Sequence, residues 1–586
     1  MEVHDLLGDV MGRVHGRGFG RGAVLASLLV VAGGLPAGTA SASASASGSG
    51  GHVLLVGTFK GKAGQYTSIQ AAVNAAHAGD WILVAPGDYH ETDDKAAAPS
   101  SVYTTGDHGG VVVHTSNLHI RGMNRNTVIV DGTKSGAPTA CSSAATWQNF
   151  GPKVGGKAQG RNGIVVWKAN NVSVENLTAC NFLGGAGDSG NEVWWNGGDG
   201  SGKIGLTGYR GSYLTGTSTF FSGEKTAAQY GIFSSNSSGP AQWNQIYGSN
   251  MNDSGMYVGA CKQACNITIN HAWMENNALG YSGTNSGGAI VIENSQFDQN
   301  EDGVDTNTQI GGDPTAPQNG NCPGRAISPI THTRSCWVFM DNNVHDNDNP
   351  NAPEAGSAAA GPIGTGMTVS GARNVTVMGN TFANNGAWGT LFVPYPDSDK
   401  PVLGQTCKGT GGFQMAGFGC VYETEGDALL NNSYVNDGYF GNPGNADFGQ
   451  ILLNTGIPSN CFAGNTSGGA GASSAPANLE QLQPTCGVTT TTTNADSDLL
   501  SQVLCDTGFG GCPAGAMYPK VSGVALMPRP ANLPTMPNPC QGVPANRWCS
   551  AGSGSSSTAA LSSRPVTGPH VAHLVATGSS RTRPPD

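Results

Sequence analysis

The chain has 586 residues, with 90 Gly, 32 Pro and only 11% charged residues. Soluble globular proteins carry about 25%, so coiled coils and long surface helices, which need Lys and Glu, are excluded. The 28 basic residues are spread thinly in a chain of net charge −11, which excludes a nucleic-acid binder with its clustered basic footprint.

The glycines follow no G-x-y period, so collagen is excluded as well. What remains is a chain of short strands and tight turns. In chain order, Arg13, Arg17 and Arg21 precede the apolar run Ala23–Ala32, and small residues follow through Ser47. Residues 1–46 therefore read as a signal peptide. The run is shorter than the about 20 residues a membrane span needs, and no later segment qualifies. A secreted protein without a membrane span in its mature chain is expected. All 14 Cys follow the leader, and in an exported chain they read as disulfides. Sequence neighbours suggest Cys322–Cys336, Cys407–Cys420, Cys461–Cys486, Cys505–Cys512 and Cys540–Cys549. Cys261-x-x-x-Cys265 lacks a second Cys pair or nearby His, and reads as disulfide rather than zinc.

Thr67–His77 has the pattern of an amphipathic helix, with Ile69, Val73 and Ala76 on one face and Gly79 at its end. Trp81–Gly87 follows as a strand. Beyond it an internal repeat appears. Met251, Met274 and Phe297 are spaced by 23 residues, and each copy reads as an apolar residue, two variable positions, then usually Asn. The pattern returns at Asn343–Asn347, Thr381–Gly386 and Ser433–Gly438. Short alternating strands accompany it: Leu118–Ile120, Val172–Val174, Ile267–Ile269, Ala289–Ile292, Val338–Met340 and Val375–Met378. A strand period inside a coil of about 23 residues predicts a solenoid. Asn at a repeated turn tolerates left-handed backbone and can form side-chain ladders.

This pattern resembles the pectate-lyase-like superfamily, whose fold is a single-stranded right-handed parallel β-helix with an N-terminal capping helix. The resemblance covers residues 52–465. It implies an all-β solenoid with insertions near 183–226, 308–335 and 347–364. Residues 466–549 read as a disulfide-braced irregular tail or cap. Residues 550–586, rich in Ser, Pro and Gly, read as disordered.

Residues one coil apart lie one above another. The positions after the apolar anchors are Asn252, Glu275, Asp298, His345 and Ala383. If the 308–335 insertion is looped out, Glu275, Asp298 and His345 form an outward column about 5 Å apart. Neighbouring carboxylates disfavour joint ionisation or hold a cation, and a carboxylate beside His suits acid/base work. A solvated face is the competing reading. Asn300-Glu-Asp-Gly-Val-Asp305 resembles the N-x-D-G-x-D motif of polygalacturonases, which implies Asp302 and Asp305 as site residues. No Gly-His-Gly or Arg-x-Lys accompanies it, and the motif also fits the repeat's own turn grammar. A pectate-lyase reading requires Ca²⁺ and a basic residue, for which Arg325 and Arg334 lie nearby in sequence. Trp194, Trp195, Tyr209, Tyr213, Phe220 and Phe221 are candidates for stacking on sugars or for packing a loop.

The expected function is a monomeric, secreted, polysaccharide-active protein: a hydrolase, lyase or epimerase on an acidic glycan, with Ca²⁺ as the one candidate cofactor. The alternative is a non-catalytic extracellular glycan-binding or cell-surface structural protein. The net charge of −11 disfavours an acidic substrate unless Ca²⁺ or an Arg cluster intervenes.

Overall fold

The computed structural model describes residues 51–550, apart from 93–108, 188, 199–202, 262–263, 285, 308–334, 336, 355–357, 359–360, 397–402, 405, 408–411 and 495. The expected signal peptide, the tail from 551, Arg325, Arg334 and the Cys322–Cys336 pair lie outside the described residues.

The chain winds into a parallel β-helix built from a 22-stranded and an 11-stranded sheet. The larger sheet turns a corner. Strand Val172–Cys180 pairs through Val172–Glu175 on one side of Asn176 and through Leu177–Cys180 on the other, and Asn176 has a φ of 59°. Each coil thus runs along face 1, turns a short corner to face 2, and crosses a second turn to face 3, the 11-stranded sheet. Parallel crossovers of this kind are right-handed.

The corners explain the Asn recurrence. Asn181, Asn250, Asn276, Asn384 and Asn436 adopt left-handed backbone after face 2, and Asn176 and Asn431 do so after face 1. Asn pays less than other side chains for that conformation. The following residue turns inward and builds a ladder. Asn277, Asn300, Asn347, Asn385 and Asp437 are joined by Nδ2-to-Oδ1 hydrogen bonds of 2.8–3.1 Å. A second ladder at the other corner runs Asn342, Asn380, Asn432, Asn465 and Glu480 at 2.8–3.1 Å. Every amide donates toward the C-terminal end, and both ladders end on a carboxylate, which only accepts.

Coil length varies because excursions sit between strands, while the strands stay in register. Successive corners are separated by 54, 37, 32, 26, 23, 47, 38, 52 and 33 residues. The interior is a continuous apolar column. On face 2, Met274, Phe297, Val344, Phe382 and Tyr434 stack in register, all buried. Helix α1 (Ile69–Ala75) covers the first coil with Ile69, Ala72 and Val73 buried. Its first turn is held by Glu91, whose carboxylate accepts from the backbone N–H of Ile69 at 2.6 Å and of Gln70 at 3.2 Å.

Residues 183–226 are not an insertion. Asn191–Asn196 and Leu206–Thr217 are regular strands of face 3 and of faces 1 and 2. Gly and Trp obscured the strand alternation there: Trp195 and Tyr209 point inward and pack around Trp243, whereas the neighbouring Trp194 points outward.

The region after 466 does several things. Helix α2 (Leu479–Leu482) plugs the C-terminal coil with the buried Leu479, and helix α3 (Ser497–Asp506) packs Leu499 and Leu500 against face 3. Residues 517–549 then run back along the solenoid as a strap. Met527 pairs with Asn250, Thr535 with Asn176, and Arg121 reaches the Gln541 carbonyl at 2.6 Å. Trp548 finally covers Leu55 and Leu83 outside the first coils. Four suggested disulfides in the described region are present, as are Cys261–Cys265 and Cys141–Cys180. The last had no sequence neighbour to reveal it; it is closed by an excursion that folds back over face 2.

Candidate active site

Face 2 carries the expected column. Glu275 pairs with Asp298, Asp298 with His345, and His345 with Ala383. The residue on the other side of Glu275 is Ser249, not Asn252. The coil there is 26 residues long, so the 23-residue spacing of Met251 and Met274 is a coincidence of sequence; Gly248, not Met251, pairs with Met274.

The column is largely buried. Glu275 is 7% and Asp298 8% exposed. Burial pushes the Glu275 carboxyl up to about 7, against a hydrogen bond donated by the Tyr247 hydroxyl. Burial also raises Asp298, although Trp273 Nε1 donates to it at 2.8 Å and Gln296 Nε2 at 3.0 Å. His345 is half-buried. Burial lowers its basicity, but its 2.7 Å contact with Asp346 and the charge of Asp298 outweigh that and hold it above its ordinary value. These are acid/base groups in register on neighbouring strands, flanked by the strap where Asn276 donates to the Ala525 carbonyl.

The second pair, Asp302 and Asp305, lies on face 3, so the two sequence-derived sets are on different faces and do not form one site. Their strand is Asp302–Asn307. Gly303 has a packing reason to be there: a Cβ would lie 2.4 Å from the Gly366 carbonyl oxygen of the next coil. The Gly of the motif is thus required by stacking alone.

The outer surface of face 3 holds a feature that the sequence reading missed. One column in register reads Trp194, Phe233, Tyr257, Ser282, Asp305, Thr368 and Leu391. Trp194 and Phe233 stack at 5.2 Å, and Phe233 and Tyr257 at 4.8 Å. The aromatic ladder stops at Tyr257. Beyond its ring opens a polar cavity of about 170 Å³, lined by Tyr230, Asp253, Tyr257, Ser282, Asp305 and Tyr395 among others. Asp305 also lines an adjoining apolar cavity of about 140 Å³, with Asp302, Leu391, Val393 and residues of α3. Helix α3, with Pro394, Tyr395, Pro396, Met415, Phe418 and Val421, covers face 3 there, so the groove closes beyond Thr368.

Asp302 is fully buried. Burial and the charge of Asp305 push it well above the carboxylate range, against hydrogen bonds from Thr368 Oγ1 and the Val304 N–H. Burial raises Asp305 to about 6; Asn307 Nδ2 at 2.6 Å and Ser370 Oγ at 3.0 Å oppose this by donating to its charged form. Burial raises Asp253 as well, opposed by Ser254, Gln229 and Tyr230. Two carboxyls with separated affinities for a proton, side by side on a cavity wall, can divide the roles of acid and base.

Among the described residues two groups have three ligand atoms close enough for one metal ion: Asp88–His90–Asp131, and Asp131 with Cys141 and Cys180. The two cysteines are bonded to each other, so the second group offers no thiolates. Neither group includes Glu275, Asp298, Asp302 or Asp305, and a Ca²⁺ ion needs six to eight oxygen ligands. The Ca²⁺ expectation gains no cradle at either carboxylate pair.

No protein family and no curated protein matches the sequence. Among solved structures, the chain is similar to the A-module of mannuronan C-5 epimerase AlgE4 from Azotobacter vinelandii. Identity is 11%, the match covers 69% of this chain and 91% of that one, and the TM-score is 0.38. A Yersinia enterocolitica family 28 exopolygalacturonase matches at 10% identity over 71% and 75%, with a TM-score of 0.38. An alginate lyase from Paenibacillus sp. matches at 11% identity over 69% and 94%, with a TM-score of 0.32. Likeness at this level carries no argument about activity.

Proposed function

We propose that the protein is a secreted glycan-active hydrolase whose site is the groove on the outer surface of face 3. The observation that supports this reading is the in-register run from the Trp194–Phe233–Tyr257 ladder into the Asp305 cavity. Aromatic rings stack on the apolar faces of sugars, and the carboxyls lie where that platform ends. Asp302, held protonated by burial, serves as the general acid on the leaving oxygen. Asp305, ionised above about pH 6, serves as the base or nucleophile, as in glycoside hydrolysis by paired carboxyls. Closure of the groove by α3 favours attack near a chain end.

Secretion rests on the leader and the six disulfides. The alternative, a non-catalytic glycan binder, would use the same groove. The test is a panel of soluble glycans incubated with the protein and read for reducing ends. Asp302→Asn and Asp305→Asn should each lower the rate by at least about 100-fold, the usual scale for acid/base groups. Unchanged rates in both, with loss in Glu275→Gln or Asp298→Asn, would move the site to the face 2 column. Binding without turnover on every glycan would favour the alternative.

A further inference from the structure

The residues that line the face 3 groove also bear on which glycan it takes, an inference that rests on the reading just given. Among the described residues, the walls of both cavities carry Asp253, Asp302 and Asp305 and no Lys, Arg or His. The polar cavity is otherwise built from hydroxyls and amides: Tyr230, Tyr257, Ser282, Thr284 and Asn307. A uronate-binding site must neutralise a carboxylate on every sugar ring, with a basic side chain or a divalent ion. Among the described residues the walls supply no basic side chain, and a third anion beside ionised Asp305 and its neighbours Asp253 and Asp302 would face like charge at low dielectric. Hydroxyl and amine groups, by contrast, find acceptors throughout.

The cavity volume of about 170 Å³ is on the scale of one six-membered ring, since an engineered cavity of about 150 Å³ holds benzene. Tyr257 presents a ring face to it at the place where the next plate of the aromatic ladder would lie. We propose that the groove takes a glycan whose units carry no carboxylate, with a terminal sugar ring seated on Tyr257 beside Asp305. The low charge of the whole chain is consistent with such a partner, because little electrostatic steering is available to collect a polyanion.

The full chain is titrated calorimetrically, both in CaCl2 and in EDTA, with a xylo-oligosaccharide, a chitosan oligosaccharide and an oligogalacturonate of equal length. The expected result is that the xylo- or chitosan ligand binds at least about tenfold more tightly than the uronate, which is about 1.4 kcal/mol. Tyr257→Ala should weaken that binding by about tenfold or more. Asp305→Asn should narrow the gap by improving uronate binding. A uronate that binds best, and whose turnover is lost in Asp302→Asn, overturns the substrate class while leaving the site in place. Binding of an uncharged or aminated glycan that ignores both Tyr257→Ala and Asp305→Asn overturns the site itself. Absence of binding by both the uncharged and the aminated ligand also overturns the proposal.

Discussion

Asn347 sits in the middle of a ladder in which every amide points the same way, so its replacements should not be equivalent. It is fully buried. Its Nδ2 donates to Asn385 Oδ1 and to the Phe297 carbonyl, each at 3.1 Å. Its Oδ1 accepts from Asn300 Nδ2 at 2.9 Å and from the Asn300 N–H at 3.3 Å. Asn347→Ala removes four hydrogen bonds of about 1 kcal/mol each, so a loss of about 4 kcal/mol is expected. Asn347→Asp keeps both acceptor contacts but has no proton for Asn385 or Phe297. It also places a charge in the core, and should cost at least as much at neutral pH. Asp437 is the control. It occupies the end of the ladder and only accepts, from Asn385 Nδ2 at 2.8 Å and N–H at 2.9 Å. Asp437→Asn keeps that acceptor and loses only the 3.3 Å bond that the Val435 N–H donates to its other oxygen, so it should cost about 1 kcal/mol. Urea unfolding at pH 7 measures all three, with hydrogen exchange at Asn300 as a local readout. If Asn347→Asp matches the wild type, or Asp437→Asn costs as much as Asn347→Asp, the directional ladder is wrong.

Two further outcomes follow from burial on face 2 and under the strap. Glu275 holds its proton more tightly folded, at about 7, than at its ordinary 4.5. Its contribution is fully present below about pH 4.5 and is lost as pH rises through 7, leaving the charged form costing about 3 kcal/mol by pH 9. Glu275→Gln should therefore gain on the wild type at pH 9 and not at pH 4, by thermal unfolding; an equal gap at both pH values would refute this. Trp548 packs on Phe59 at 5.7 Å, and its Nε1 donates to the Lys62 carbonyl at 2.8 Å. Trp548→Ala should cost about 3 kcal/mol and deprotect 540–549 to hydrogen exchange, while the coils around 267–298 stay protected because solenoid coils contact only their neighbours.

The architecture was legible in the sequence because a solenoid repeats one local pattern. An apolar anchor, a left-handed Asn corner and a short alternating strand recur, and stacking follows from that recurrence. The in-register stacking of Glu275, Asp298 and His345 could be read across an unseen 47-residue gap for the same reason. Legibility failed where spacing was the only guide. Met251 lies 23 residues before Met274 yet belongs to a different position of its coil, since an excursion makes that coil 26 residues long.

The sequence alone determined the repeat strands, the Asn corners and the capping helix, and suggested disulfides between sequence neighbours, because all of these are set by local chemistry. Only the tertiary structure decided what shares a surface. Trp194 and Trp195 are adjacent in sequence and face opposite ways, so the aromatic ladder on face 3 exists only when residues from successive coils are superposed. Asp302 and Asp298 are four positions apart and lie on different faces. The strap from 517 to 549 has no periodic signal, because its partners are corner amides of coils hundreds of residues earlier. Stacking turns a one-dimensional repeat into columns, and which side chains meet in a column depends on how much chain each coil loops out.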